Sequence, residues 1–489
     1  MILFAKILLV CAVTALTVLA ARYSVHMMQL EGYFLSQYVP HLFARLRRPR
    51  YLLAPPTVKK PLHYTPRILR LLVCLAILTA LFAVFFTFGL PALCPSLPFP
   101  PAVFCVLLVP LASLWVLCAA AIMLPVEKAI ARVFVRDAAR RLKERSDLQI
   151  VAITGSYGKT STKFILSTLL SERFSCLTPP SSYNTTLGVV RVIRERLQPD
   201  DEVFICEMGS RHIGDIRELC DLVRPTRAIL TSIGPQHLDT FGSIEGVKQG
   251  KYELIEALGT TGTAVFSSLN EDVRALYEKA PCRKISAGFL PEDDVRAENL
   301  SVGCSGSAFT LVTREGERVE CVTRLLGEHN ISNILVAAAM ALDMGLTPEE
   351  VSRGIAKIQP IEHRLQIVKQ TPITVIDDAF NASPNGAKAA LNVLARFTGR
   401  RVIVTPGFVE LGSEQARFHR ELGEEIAACA DVAVLVGKKR AAEIQAGMTD
   451  FKGETHIVES LEEAMTLLKD ISVTGDVVLF ENDLPDNYE

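Results

Sequence analysis

The stretch ITGSYGKTSTK, residues 153–163, follows directly on the β-branched run LQIVAIT and leads into a helical pattern over 160–173. A strand, a glycine-punctuated turn ending in Lys-Thr, and a helix, in that order, make the element with which α/β proteins hold phosphate. Here Gly155, Gly158, Lys159 and Thr160 give G-x-x-G-K-T, shorter than the common G-x-x-x-x-G-K-[ST] loop. The shortening leaves the physics in place. Backbone N–H groups of the turn and of the helix start still face an anion, Lys159 adds a point charge, and the Thr160 hydroxyl can reach Mg2+. Ser156 and Ser161 belong to the same turn and first helical residues.

Outward from this loop, short apolar runs alternate with helical stretches: EVFICEM, a helix near 214–223, and RAILTSI. That alternation predicts a parallel sheet with helices on both faces. Residues 262–325 read as strand-rich, and NISNILVAAAMALDMG and TPEEVSRGIAKI as helices. A second α/β unit begins at ITVIDDAF and continues through RVIVTPG, VAVLVGK and DVVLFEN. The boundary between the two falls near 360–370, beside Pro360 and KQTP.

The N-terminal part has a different composition. Residues 2–21 contain one charge, Lys6, whereas 71–90 and 101–125 contain none, and each run is long enough to cross a hydrocarbon core of about 30 Å. Three transmembrane helices are predicted, with Pro110 kinking the third. A cleaved signal peptide is the alternative for the first, whose n-region is almost uncharged. Arg45, Arg47, Arg48, Arg50, Lys59, Lys60, Arg67 and Arg70 lie between the first two spans, and the linker PALCPSLPFP between the next two is uncharged. The positive-inside rule therefore makes the basic loop, and the chain after 125, cytoplasmic. A net charge of −1 gives no footprint for nucleic acid. None of the twelve cysteines forms a C-x-x-C pair, so structural zinc is not indicated and reduced thiols are expected.

Further motifs follow the loop in order: SSYNTTLG (181–188), CEMGSRHIGDI (206–216), IGPQHLDTFGSIEGVKQGK (233–251), GEHNISNILVAAAMA (327–341), IEHRLQ and IDDAFNASP (376–384). Together with ITGSYGKTST they resemble the motifs of the Mur ligases, with IDDAFNASP closest to the MurF-type members. The resemblance covers roughly residues 147–489. It implies a central P-loop-like ATP-binding domain at 147–365 and a Rossmann-like α/β C-terminal domain at 366–489, while the apolar runs make 1–146 a membrane anchor.

The resemblance also implies chemistry. A carboxylate is phosphorylated by ATP and an amine attacks the acyl phosphate, giving an amide, ADP and phosphate. Lys159 and the loop would hold the phosphates, Thr160 and Glu207 the first of two Mg2+ ions, and His237 with a carbamylated Lys251 the second. Asn330 and Asn333 would lie at the adenine, Arg364 at the γ-phosphate, and Asp378, beside Asp377, at the ribose and the incoming amine. Asn184, Thr185 and Asn381 are the candidates for substrate contact. The implied partners are a cell-wall precursor, an amino acid or dipeptide, membrane lipids and wall-synthesis proteins. The three apolar spans and the positive-inside rule, not the resemblance, predict a multi-pass location in the cell membrane with cytoplasmic catalytic domains.

The chain departs from the family where spans and a basic loop replace the soluble domain that grips the UDP end of the precursor. Tyr157 also stands where the family usually has Asn or Lys, and Thr185 where MurF-type sequences carry a second Asn. Two other readings are a membrane-bound polymer synthase resembling the poly-γ-glutamate enzymes, against which the full C-terminal domain speaks, and a non-catalytic scaffold of a wall-synthesis complex.

Overall fold

In the computed structural model, residues 1–47, 61–93, 104–105, 107–380, 383–409 and 411–483 are described. The chain divides into two compact units, Met1–Val133 and Phe134–Glu489.

The first unit is helical. Helices Ile2–Ala20 and Arg22–Leu30 follow one another through Ala21, and Leu35–Arg47, Pro66–Val84 and the start of Ala112–Lys143 complete it. Three of these stretches, Ile2–Leu30, Pro66–Leu93 and Ala112–Lys143, are long and apolar enough to cross a membrane. Leu3, Phe4, Leu8, Val73, Ile77 and Leu81 are exposed, while Val25, Met28, Tyr38, Ile68, Leu75 and Val116 form a buried seam. Polar groups in that seam are paired: Ser24 with Ser113 at 2.8 Å, and the Tyr38 hydroxyl donating to the Ser113 carbonyl at 3.0 Å.

The third span differs from expectation. Pro110 does not kink a helix; it lies in a turn, and the helix starts at Ala112, runs through Pro125 and continues to Lys143. A proline biases the residue before it away from the helical region, which favours a helix start beyond 110, and helices of this kind tolerate Pro125. The basic residues Arg48, Arg50, Lys59 and Lys60 lie outside the described residues, as do the side chains of Arg45 and Arg47.

The second unit contains two sheets. The larger is built from β1 (Gln149–Thr154), β2 (Cys176–Leu177), β3 (Val203–Glu207), β4 (Arg227–Leu230), β5 (Thr263–Ser267), β6 (Arg283–Gly288), β7 (Val295–Gly303), β8 (Gly306–Val312) and β9 (Arg318–Thr323), in the order β2-β3-β1-β4-β5-β6-β7-β8-β9. Pairing is parallel as far as β7 and antiparallel across β7, β8 and β9. The strand order reverses around β1, and α/β sheets place ligands beyond the strand ends at such a switch point. The loop 155–158 sits there.

The smaller sheet, β10 (Gln366–Lys369), β11 (Thr374–Phe380), β12 (Arg401–Thr405), β13 (Val432–Val436), β14 (Glu454–Val458) and β15 (Val477–Asp483), has the order β10-β11-β15-β12-β13-β14. It is parallel except for β10, an antiparallel edge strand. β10 was not legible in the sequence, since its four residues leave too short a window for alternation to show.

Residues 134–146 belong with this second unit. Ala138 and Leu142 are buried in its core against Val190, Ile193 and Phe204, and the Arg145 guanidinium donates to the Gln198 carbonyl at 2.8 Å. The eleven described cysteines are all free, in line with reduced thiols.

Candidate active site

The phosphate-type loop is clamped from beneath by the end of β4. The Ser156 amide donates to the Ser232 carbonyl at 2.8 Å, and the Tyr157 amide to the Ser232 hydroxyl at 2.8 Å. The Ser156 hydroxyl donates to the Gly234 carbonyl at 3.1 Å. Two glycines are required by space and by backbone. Gly155 has φ +147° and a Cβ there would lie 2.1 Å from Thr231 Oγ1; Gly158 has φ +81° and its Cβ would lie 2.4 Å from Asn333 Oδ1. Gly158→Ala is therefore expected to weaken ATP binding at least about tenfold, since the left-handed conformation alone is disfavoured by 1–2 kcal/mol for an L-residue. Titration of the full-length variant with a fluorescent ATP analogue checks this.

Helix Lys159–Leu170 begins at the loop. The Lys159 ammonium donates to the carbonyls of Gly155 at 2.7 Å and Ser156 at 3.1 Å. Burial pushes its pKa down to about 8; Glu207 opposes the shift and Arg364 adds to it. The Thr160 hydroxyl and the Asn184 amide both donate to Glu207 Oε1, each at 3.1 Å. Ser161 is buried beside them.

The second Glu207 oxygen lies 3.3 Å from the ammonium of Lys163, a fully buried residue, but takes no aligned hydrogen bond. Lys163 also donates to the Ser181 carbonyl at 2.9 Å. The sequence reading missed Lys163. Its place four residues after Lys159, on the same helix face, was the available signal. Thr185 serves the fold: its hydroxyl accepts from the Gly188 amide and caps the helix Thr186–Arg196.

Glu207 presents two buried oxygens, Oε1 beside the Thr160 hydroxyl and Oε2 beside the Lys163 ammonium without an aligned hydrogen bond, and with Thr160 these are the hard oxygen donors that Mg2+ selects. Among the described residues no three His, Cys, Asp or Glu side chains gather as a metal site. Lys251, on helix Ile244–Leu258, is 1% exposed and donates to the Ser210 hydroxyl at 2.9 Å. Burial, helped by the charge of Lys159, holds it well below the ordinary lysine range. His237 has left-handed backbone at φ 52° and starts the short helix Leu238–Phe241.

The two asparagines expected at the adenine are used inside the protein. The Asn330 amide donates to the Leu326 carbonyl at 2.9 Å, and Asn333 Oδ1 accepts from Thr162 at 3.3 Å while backing Gly158. Their helix, Glu328–Asp343, is buried almost throughout, so its polar side chains need internal partners.

The second sheet brings its own residues to the same place. Arg364 is flanked by His363 and Leu365, both with positive φ (58° and 50°), a conformation that non-glycine residues keep only when surroundings enforce it. Burial lowers its pKa, while Asp378, Glu207 and Glu481 oppose that. The Leu365 amide donates to Asp378 Oδ1 at 3.0 Å, and Asp377 pairs with His363 at 2.7 Å. Tyr157, from the phosphate-type loop, donates its hydroxyl to the Pro235 carbonyl at 3.0 Å and also meets Ser383 of the second sheet's first loop. Asn381 lies outside the described residues. Lys159, Thr160, Glu207, Arg364 and Asp378 thus converge from both sheets.

Comparisons with known proteins agree with this arrangement. Residues 153–341 match the Mur ligase middle domain and residues 363–481 the Mur ligase glutamate ligase domain. The UDP-N-acetylmuramoyl-tripeptide--D-alanyl-D-alanine ligase of Escherichia coli strain K12 is 33% identical over 306 residues, 62% of this chain and 67% of that protein. The same-named protein of Bacillus subtilis strain 168 is 26% identical over 339 residues, covering 68% and 72%. A crystal structure of MurF from Acinetobacter baumannii superposes with a TM-score of 0.67 at 28% identity, over 72% of this chain and 77% of that one. MurF ligase from Thermotoga maritima in complex with ADP shares the fold, with a TM-score of 0.66 at 24% identity over 72% and 80%. With both catalytic domains matched in sequence and fold, the chain belongs to the Mur ligase family of ATP-dependent ligases.

Proposed function

We propose that this chain joins an amino acid or dipeptide to the peptide of a peptidoglycan precursor through an acyl phosphate, at the cytoplasmic face of the membrane. The observation that carries the reading is the convergence of Lys159, Thr160 and Glu207 from one sheet with Arg364 and Asp378 from the other. Relatives named for D-alanyl-D-alanine ligation to a UDP-linked muramoyl tripeptide make those two molecules the first substrates to try.

In this reading the loop amides and Lys159 bind the β- and γ-phosphates, and Thr160 and Glu207 hold Mg2+. The metal, when bound, neutralises phosphate charge. Arg364, a permanently charged fork, stabilises the charge that moves onto the transferring phosphoryl group. Two domains that meet over the phosphates also exclude water from an acyl phosphate that would otherwise hydrolyse.

Lys251 is assigned a carbamate, formed as its free amine adds to CO2 and releases a proton. The support is a buried amine that donates to the Ser210 hydroxyl and makes no salt bridge among the described residues, with Asp215 acting on it only as a weaker opposing charge. The assembled site argues against a scaffold, and the six-stranded second sheet against a shorter polymer synthase.

The test is direct. Detergent-solubilised full-length protein is offered ATP, D-alanyl-D-alanine and either UDP-linked or lipid-linked muropeptide, and the product is identified by mass. A product heavier by the dipeptide less one water supports the proposal; ATP hydrolysis without a joined product overturns it.

The anchor is assigned a part in acceptor binding. Its basic loop would lie on the inner leaflet, where each cation is worth about 1 kcal/mol of attraction to anionic headgroups. A truncated protein beginning at Phe134, which keeps Ala138 and Leu142 in the core, is expected to retain ATP binding but lose ligation of the lipid-linked acceptor. Neutralising Arg45, Arg47, Arg48 and Arg50 is expected to raise the acceptor KM and leave that for ATP unchanged. Equal activity of truncated and full-length protein on a UDP-linked acceptor would remove the anchor from catalysis.

A further inference from the structure

β11 and β15 are adjacent parallel strands whose register sets Asp378 directly opposite Glu481. Residues paired in this way point to the same face, with backbones about 4.8 Å apart. Two carboxyl groups therefore stand side by side at the end of the second sheet. Asp378 accepts a hydrogen bond from the Leu365 amide. Glu481 is completely buried, and no N–H or hydroxyl reaches its oxygens, whose hydrogen-bonding neighbour is the Asp378 carboxyl.

Such a group persists in a core only if it is neutral or serves a bound partner. Burial, followed by the neighbouring Asp378, drives the Glu481 carboxyl well above the ordinary range. Burial also raises Asp378 to about 6, against the pull of Arg364. The charged groups facing the pair are Arg364, from the segment before β10, and Asp377, next along β11. Beyond Arg364 lie Glu207 of β3 and Lys159 of the phosphate-type loop. Both shifts run toward the protonated form, the behaviour of two buried carboxyls that share a proton rather than carry two charges.

The reaction proposed above, on which this inference rests, needs a group of that kind. The attacking nitrogen arrives as an ammonium and has no lone pair until a proton leaves. Arg364 interacts with the charges of Glu207 on the phosphate side and of Asp378 and Glu481 alike, so an amine approaching an acyl phosphate beside Arg364 comes within reach of the two carboxyls.

We infer that Asp378 and Glu481 act as one proton-sharing carboxyl pair that takes the proton of the attacking ammonium. Asp378 faces the amine, and Glu481, as a positioning residue, works through it. The ammonium N–H bond breaks and its proton passes to the Asp378 carboxylate. The freed lone pair forms the C–N bond, the C–O bond to phosphate breaks, and the second nitrogen proton departs with the phosphate. The pair then returns its extra proton to water. The sum is acyl phosphate and ammonium giving amide, hydrogen phosphate and one proton.

Hydroxylamine separates this role from a structural one, because its nitrogen is already neutral and captures an acyl phosphate as a hydroxamate without a base. Full-length protein in detergent is given ATP, UDP-linked muramoyl tripeptide and either D-alanyl-D-alanine or hydroxylamine, over a range of pH. Glu481→Gln is expected to slow dipeptide ligation about tenfold at neutral pH while hydroxamate formation stays within about threefold, less than the ~100-fold of a lost general base because the Asp378 carboxylate remains. The deficit narrows as pH rises and free amine accumulates, and the acid limb of kcat/KM moves to higher pH as Asp378 loses the hydrogen bond from Glu481 that holds its carboxyl down. Parallel loss of both products, or a Glu481→Gln protein that ligates dipeptide at the wild-type rate, would overturn the pair. A wild-type protein that makes neither product overturns the ligase reading, and the role of the pair with it.

Discussion

Lys159→Ala is expected to lower ATP-dependent ligation by at least about 100-fold, the scale on which a preorganised group facing transition-state charge acts. The ammonium sits on the carbonyls of its own loop, so removing it leaves the loop's other anchors, Ser156 and Tyr157 to the end of β4, in place. The variant should unfold at nearly the wild-type temperature. Product formation read alongside thermal unfolding checks both halves, and activity within tenfold of wild type would end the nucleotide assignment. The same residue predicts a pH dependence. Only the protonated form attracts phosphate, and burial has lowered its pKa to about 8. ATP affinity of the free protein should therefore be full below that value and decline as pH rises through it, which calorimetric titration across pH measures.

Lys251→Ala is expected to be inactive, with a loss on the order of 100- to 1,000-fold, and to recover part of its activity when a short carboxylate is added to the medium. The buried Nζ beside Ser210 is held below the ordinary lysine range, so it presents the free amine that adds to CO2. A carbamate formed there would present Mg2+ with an anion where the unmodified lysine offers none. Alanine leaves space at the end of the missing side chain, and a small carboxylate can bring its oxygens there. Absence of rescue, together with an unmodified Lys251 by native-state mass measurement, would count against the carbamate.

The pairing of Asp378 with Glu481 shows where sequence reading stops. DVVLFEN is legible as a strand, and Glu481 within it reads as an ordinary strand-end carboxylate. Which strand lies beside it, and in what register, depends on the whole second sheet. The same holds for Lys163, an unremarked helix residue until β3 brings Glu207 to 3.3 Å from it. Asn330 and Asn333 went the other way. Their motif suggested ligand contact, and the packing of a buried helix adds internal partners that the sequence did not reveal.

By itself the sequence determined the alternation of strands and helices, the phosphate-type turn and the apolar N-terminal runs, because these rest on local periodicity, on glycine's backbone freedom and on continuous hydrophobic length. Only the tertiary structure decided where the third long helix starts, that residues 134–146 pack with the catalytic unit, that Lys251 is buried, and that Asp378 and Glu481 share one face. Those outcomes depend on which distant segments exclude water from a side chain, and burial of that kind is a property of the packed chain rather than of any stretch within it.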